Sequence, residues 1–416
     1  MAARTGIAAG PASEGSPFLT TRCTSLAGAC TGPSASYAVF AGLCASLVAI
    51  GLARFAYTPL IPELIKAGWF APGDVVWLGA ANFAGYFAGA LLGRRMGARW
   101  GHRAMLRAMM AAAALSFAAC AAPLSLSWFF AWRFVSGFAG AVVMVLVAQT
   151  VLPMVAPARR GMAGGAIFMG VGAGIALSGV LVPPLLRAGL PAAWLGLAAC
   201  SALLSALSWR AWPARDAAAQ RAEPVAALPL RVRLLYAEYA AVAVGLVPAA
   251  VFLVDYVARG LHQGTAQGAL YWVVYGAGAV SGPMLYGLLA DRIGFGRALR
   301  LGLLLAAAAA LLMAAWPQAP SLLAASLLLG AFTPGVVTLM IGRLHELLPG
   351  RHAAQHAAWS RSTSMFALFQ ALAGYGLSWV FARNGGQHRV LFMAAGGAFA
   401  LALLLDLLGG MLRREG

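Results

Sequence analysis

The chain has 416 residues, 62% of them apolar and only 10% charged, and its 29 basic against 11 acidic residues leave a net charge of +18. A soluble domain carries roughly 25% charged residues, so a water-facing globular surface is excluded. The 50 glycines and 12 tryptophans suit helices packed closely in a bilayer.

Apolar runs of about 20 residues recur along the chain, each able to cross a ~30 Å hydrocarbon core, so the sequence reads as an all-α polytopic membrane protein. Residues 1–35, rich in Ala, Gly, Ser, Thr and Pro without a continuous apolar core, read as a flexible cytoplasmic tail. Span 1 covers 36–65 and carries Arg54 about nine residues, hence ~13 Å of helix, from its outer end. Pro59 and Pro62 follow. Each removes a backbone donor and can open a carbonyl one turn earlier, Ala56 and Tyr57 among the candidates, which predicts a hinge beside a fixed positive charge.

Spans 2 to 6 are predicted at 75–94, 104–122, 126–155, 161–187 and 191–210. Span 2 carries Asn82 and Tyr86 and repeats glycine at Gly85, Gly89 and Gly93, as span 5 does at Gly170 and Gly174; such spacing lets helices approach closely. Span 4 holds Arg133 and Gln149. The connector 213–232 is the longest polar break and separates a six-helix half at 36–212 from another at 233–412, with a short tail at 413–416. The second half has spans at 234–258, 266–289, 298–316, 321–347, 353–382 and 389–411. Glu238 and Asp255 sit toward opposite ends of span 7, Tyr271 and Tyr275 in span 8, Arg361 and Gln370 in span 11. A charge in hydrocarbon costs at least ~2.5–3.5 kcal/mol, so these ions face a cavity or a partner or snorkel to the interface; snorkelling is the weaker reading for Arg54 and Arg133.

With the N-terminus placed in the cytoplasm, 22 of the 29 basic residues fall on the cytoplasmic side and 5 on the other, with Arg54 and Arg133 inside spans. That imbalance predicts an inner-membrane protein with both termini cytoplasmic. It also disposes of nucleic acid as a partner, because the charge is spread over short loops. An internal repeat supports the division. Arg99 and Gly101 lie 193 residues before Arg292 and Gly294, and a repeat that returns to the same side after six spans implies two parallel six-helix halves.

The stretch Gly287-Leu288-Leu289-Ala290-Asp291-Arg292-Ile293-Gly294 resembles the loop signature of major facilitator superfamily transporters. The first copy departs from it, with Ala98 where the acid stands. Arg133-Phe134-x-x-Gly137-x-x-Gly140 is similar to the superfamily's Arg-x-x-x-Gly pattern. Span 1, from Gly51-Leu52-Ala53-Arg54-Phe55-Ala56-Tyr57-Thr58 to Pro59-Leu60-Ile61-Pro62, resembles the hallmark of the YbfB/YjiJ family, and Gly170 to Gly179 and Thr363…Phe366…Gln370 fit it too. The resemblance implies the major facilitator fold of twelve helices, a gating loop of Arg99, Gly101, Asp291, Arg292 and Gly294, and a central cavity for which Tyr57 and Gln149 are lining candidates.

Soluble-enzyme motifs are absent, and the single lysine, Lys66, follows Ile65 rather than the glycine a phosphate loop needs, so direct ATP-driven pumping is excluded. The five cysteines have no CxxC spacing, and His352 and His356, near His345 and Glu346, fall in a turn; no cofactor and no metal are expected. The expected activity is secondary transport of a small organic solute by alternating access, monomeric in the lipid bilayer and coupled to protons. Arg54, Tyr57, Arg133, Gln149, Glu238, Asp255 and Gln370 are the candidates for substrate or proton contact. Export is slightly favoured over uptake of an organic anion. A lipid-modifying membrane enzyme and a non-transporting sensor are the readings of a different class.

Overall fold

The computed structural model describes residues 34–156, 159–213 and 229–411. These form twelve long helices and no strand. The first six are α1 (Ala35–Lys66), α2 (Pro72–Trp100), α3 (His102–Ala119), α4 (Leu126–Met154), α5 (Arg160–Leu186) and α6 (Leu190–Ser208). The second six are α7 (Leu230–Gly260), α8 (Gly264–Ile293), α9 (Phe295–Ala315), α10 (Ala319–Leu347), α11 (His352–Arg383) and α12 (His388–Met411). Eleven are long and apolar enough to cross a bilayer. The exception is α3, whose first turns carry His102, Arg103 and Arg107 and lower its mean hydropathy. The expected N-terminal tail up to residue 33, residues 214–228 of the connector, residues 412–416 and the side chains of His352 and His356 lie outside the described residues.

Two helices run past their predicted ends. α2 continues to Trp100 and α8 to Ile293, so Arg99, Asp291 and Arg292 stand on helix rather than in loops. The turns shrink to one glycine each, Gly101 at φ +83° and Gly294 at φ +86°, a conformation that costs a residue without Cβ little.

The same 193-residue offset governs packing. A methyl on Gly85 would lie 1.9 Å from the Phe134 carbonyl oxygen, and one on Gly278 would lie 2.3 Å from that of Leu327. In the reverse direction Gly137 would meet the Asn82 oxygen at 1.9 Å and Gly330 that of Tyr275 at 2.0 Å. The α2–α4 seam is therefore repeated as the α8–α10 seam, backbone against backbone, as expected where dispersion rather than the hydrophobic effect joins helices.

Each half has its own apolar core, one built mainly from α1 to α6, the other from α7 to α12. The halves meet where α5 lies on α8 and α2 on α11. Cβ atoms at Gly172 and Gly276 would sit 2.4 Å from the backbone nitrogens of Val280 and Ala176, and Trp77 meets Tyr375 edge-on at 5.6 Å. Two hydroxyls tie α1 across the boundary, away from the arginine-rich turns: Thr58 Oγ1 donates to the Ala250 carbonyl at 2.5 Å, and Thr265 Oγ1 to Glu63 Oε1 at 2.5 Å. At the opposite end of α5, Gly161 and Gly165 face open space.

Candidate functional site

α1 is not a continuous α-helix. A π-helical segment spans Leu47–Leu52, one α turn follows at Ala53–Phe55, and a 3₁₀ turn at Thr58–Leu60 precedes the final helix, Ile61–Lys66. Pro59 and Pro62 cannot donate, yet the Tyr57 carbonyl is not left open, because the 3₁₀ turn brings it the N–H groups of Leu60 and Ile61 at 3.0 and 3.2 Å. The carbonyl that reaches out is Ala53's. It accepts from Arg133 Nη1 at 2.8 Å, with Asn82 Nδ2 and Ser136 Oγ each at 3.5 Å.

Arg133 is 3% exposed, and its guanidinium lies over the Tyr57 ring at 4.3 Å, while Tyr57 donates its hydroxyl to the Val75 carbonyl at 2.6 Å. A hydrogen bond from a charged donor is worth ~1.5–3 kcal/mol net, so Arg133 fixes the break in α1 against α4. Asn82 completes the bracket, donating to Ser136 Oγ at 2.8 Å.

Arg54, one residue beyond Ala53, is held differently. Its guanidinium is surrounded by the rings of Phe83 at 4.6 Å, Tyr86 at 5.1 Å and Phe55 at 5.3 Å. Among the described residues it forms no ion pair, and its Nε is buried with no hydrogen-bond partner. Aromatic faces compensate a cation only in part, ~0.5–2 kcal/mol each. The rings continue into the second half, where Phe55 approaches Trp272 at 6.2 Å and Trp272 stacks on Tyr275 at 5.0 Å.

The structure brings Arg54, Tyr57 and Arg133 together and leaves the other candidates apart. Gln149 is exposed, sixteen residues along α4 from Arg133, or ~24 Å of helix. Glu238 is 1% exposed, with Oε1 buried and unpartnered. Gln370 is 3% exposed, and its Oε1 is likewise unpartnered. Asp255 is engaged: it holds Arg259 through both carboxylate oxygens and pairs with His388 Nε2 at 2.8 Å. Arg361 is exposed. Of the gating residues, Asp291 and Arg292 are exposed and form no ion pair among the described residues, while Arg99 lies over Trp100 at 6.0 Å. Two other acids bridge there: Glu346 accepts from the Phe295 backbone N–H at 3.0 Å and pairs with Arg343 at 2.9 Å, and Asp406 pairs with Arg300 and, at 3.7 Å, with Arg343.

The sequence reading missed the ring cage and His388. Phe55 adjoins Arg54, and Phe83 lies three residues before Tyr86 on one helical face, so that spacing was available as a signal. Nothing in the sequence links His388 to Asp255, 133 residues earlier.

Two parallel six-helix halves, close glycine seams between them and a partly buried, unpaired cation near their junction define a transporter of the major facilitator class. The chain belongs to the family described as uncharacterised MFS-type transporter YbfB, whose pattern matches residues 46–407. No curated protein matches it. Among solved structures it is similar to one titled crystal structure of D-xylose-proton symporter, with a TM-score of 0.69 and 14% identity, covering 89% of this chain and 96% of that one.

Proposed function

We propose that this transporter moves a small organic solute across the cytoplasmic membrane by alternating access, as a secondary carrier driven by the proton gradient. The observation that carries the reading is Arg54, an unpaired cation inside the bilayer region, beside the break in α1 and near the junction of the halves. A charge kept there at a cost of at least ~2.5–3.5 kcal/mol, without a counter-ion among the described residues, is a binding group waiting for one. The contacts of α1 with α7 and α8 close the face away from the arginine-rich turns, and rocking of the halves about the α2–α11 and α5–α8 seams would open it.

Charge supports the orientation: the arginine-rich turns and both termini belong in the cytoplasm. Proton coupling is carried over from the fold neighbour, by its title a proton symporter, and Glu238 is the residue we assign to it, a buried carboxyl with one oxygen free of partners. Export remains the direction we propose. Uptake of an organic anion is the second reading, and the unpaired guanidinium favours it.

Reconstitution into vesicles with an imposed pH gradient tests the proposal. Solute movement should follow the gradient and collapse with a protonophore, Arg54→Ala should abolish it, and Glu238→Gln should leave exchange without gradient-driven accumulation. Movement indifferent to the gradient would remove the proton from the cycle, and wild-type rates in Arg54→Ala would remove Arg54.

A further inference from the structure

Away from the junction of the halves, the first half carries an open groove of about 810 Å³ between α1, α3 and α6. Its walls are alanines, Ala111 and Ala114 from α3 and Ala202 and Ala206 from α6, and the hydroxyl of Ser205 is spent on the Ser201 carbonyl at 2.7 Å. Ala114 lies twelve residues beyond His102, ~18 Å of helix, so the groove runs from the arginine-rich edge into the bilayer region. Its mouth is polar. Tyr37, Trp209 and Arg210 stand there, and Arg107 lies over the Trp209 ring at 4.8 Å and donates from Nε to the Trp209 carbonyl at 2.9 Å. Tyrosine and tryptophan favour the level of lipid headgroups.

The repeat shows what this mouth lacks. The residue 193 positions after Arg107 is Arg300, in the matching helix α9, and Arg300 pairs with the Asp406 carboxylate of α12. In the first half α6 gives Arg107 only a backbone carbonyl. Neither Arg107 nor Arg210 forms an ion pair among the described residues. Arg103, one turn before Arg107, adds a like charge. The described acids of the first half, Glu63 and Asp74, stand at the opposite end, in the last segment of α1 and the first turn of α2.

We propose that this groove binds an anionic phospholipid, with its phosphate at Arg107 and Arg210 and an acyl chain along the alanine walls. The inference goes beyond the transport reading and needs only the arginine-rich edge to lie at a membrane surface. Two features together select the occupant. A soluble anion would satisfy the arginines and leave the apolar walls to water, whereas a neutral lipid would fill the groove and leave two cations without counter-charge. A lipid with a net negative headgroup meets both demands. Guanidinium forks match phosphate oxygens, and Arg210 is exposed, with no ion pair among the described residues. Because α1, α3 and α6 all contribute, a bound lipid joins three helices and stabilises the folded chain by linkage.

The test is binding, read apart from transport. The purified full chain in a neutral detergent is titrated with dioleoylphosphatidylglycerol, with dioleoylphosphatidylcholine of the same chains, and with inorganic phosphate. Native mass spectrometry counts retained lipid, and thermal unfolding reads the stabilisation. Phosphatidylglycerol should be retained and raise the unfolding midpoint saturably, and the other two should act far more weakly. Arg210→Gln should weaken phosphatidylglycerol binding roughly fivefold and the double variant with Arg107→Gln roughly thirtyfold, while Arg351→Gln, the same loss of charge on an exposed turn of the second half, should leave it unchanged. If the double variant does not fold, the exposed Arg210 decides alone. Phosphatidylcholine or inorganic phosphate as effective as phosphatidylglycerol would overturn the proposal, as would an equal loss in Arg351→Gln, which would mean diffuse charge. No response to any lipid would leave the connector acids Asp216 and Glu223 as the counter-charge, and a dimer in the mass spectrum in place of bound lipid would give the groove to a second copy; either result overturns the lipid.

Discussion

Gly137→Ala perturbs the contact on which the Arg133 bracket depends. The added methyl would stand 1.9 Å from the Asn82 carbonyl oxygen, where a carbon and an oxygen need ~3.3 Å, so α2 and α4 must part locally by roughly 1.4 Å. Overpacking of this kind costs about 1–3 kcal/mol, and a gap of that size forfeits much of the dispersion between the helices around it. Replacing helical glycine by alanine returns about 1 kcal/mol. The net loss is about 2 kcal/mol, or roughly 2–3 °C in the melting temperature of a chain of this length. Asn82 would be displaced from Ser136, so transport should fall further than stability. Gly330→Ala, at 2.0 Å from the Tyr275 oxygen, should lose a similar amount, because the 193-residue offset reproduces the contact. Gly397→Ala, with nothing within 4 Å, should be neutral or slightly stabilising. Thermal unfolding in one detergent compares the three. If Gly137→Ala melts with Gly397→Ala, the close backbone approach is not what holds α2 to α4, and the argument from glycine spacing fails.

Asp255→Asn removes the acid shared by Arg259 and His388 and leaves a buried pairing broken, at a cost of about 3–5 kcal/mol; a double-mutant cycle with His388→Gln should recover part of that loss, and strict additivity would show that the pair is not coupled. Asp291, exposed and unpaired here, holds nothing in this state, so Asp291→Asn should move the population toward it; spin-label distances across the face of the Gly101 and Gly294 turns measure the shift, and an unchanged distribution removes Asp291 from gating. A single cysteine placed in 214–228 of a cysteine-free chain should resist an impermeant reagent in intact cells and react after permeabilisation; labelling in intact cells reverses the orientation.

What the sequence determined by itself is the part the bilayer enforces. A spanning backbone must satisfy its own hydrogen bonds, so each crossing is an apolar helix of about 20 residues, readable without knowledge of its neighbours. The repeat of Arg99 and Gly101 in Arg292 and Gly294 was legible for the same reason. Helix ends were less so: α2 and α8 outrun their predicted limits because hydropathy stops at the membrane edge while helical hydrogen bonding does not. Arg54 stood out as a charge in an apolar run. Only the tertiary structure separated it from Arg133. The two look alike in one dimension, but the Ala53 carbonyl of α1 meets Arg133 from α4, 80 residues away, while Arg54, partly exposed, has rings from α1 and α2 beside it and no acceptor. The pairing of Asp255 with His388 has the same origin: a side chain's partner is set by which helices touch, and local sequence carries no record of that.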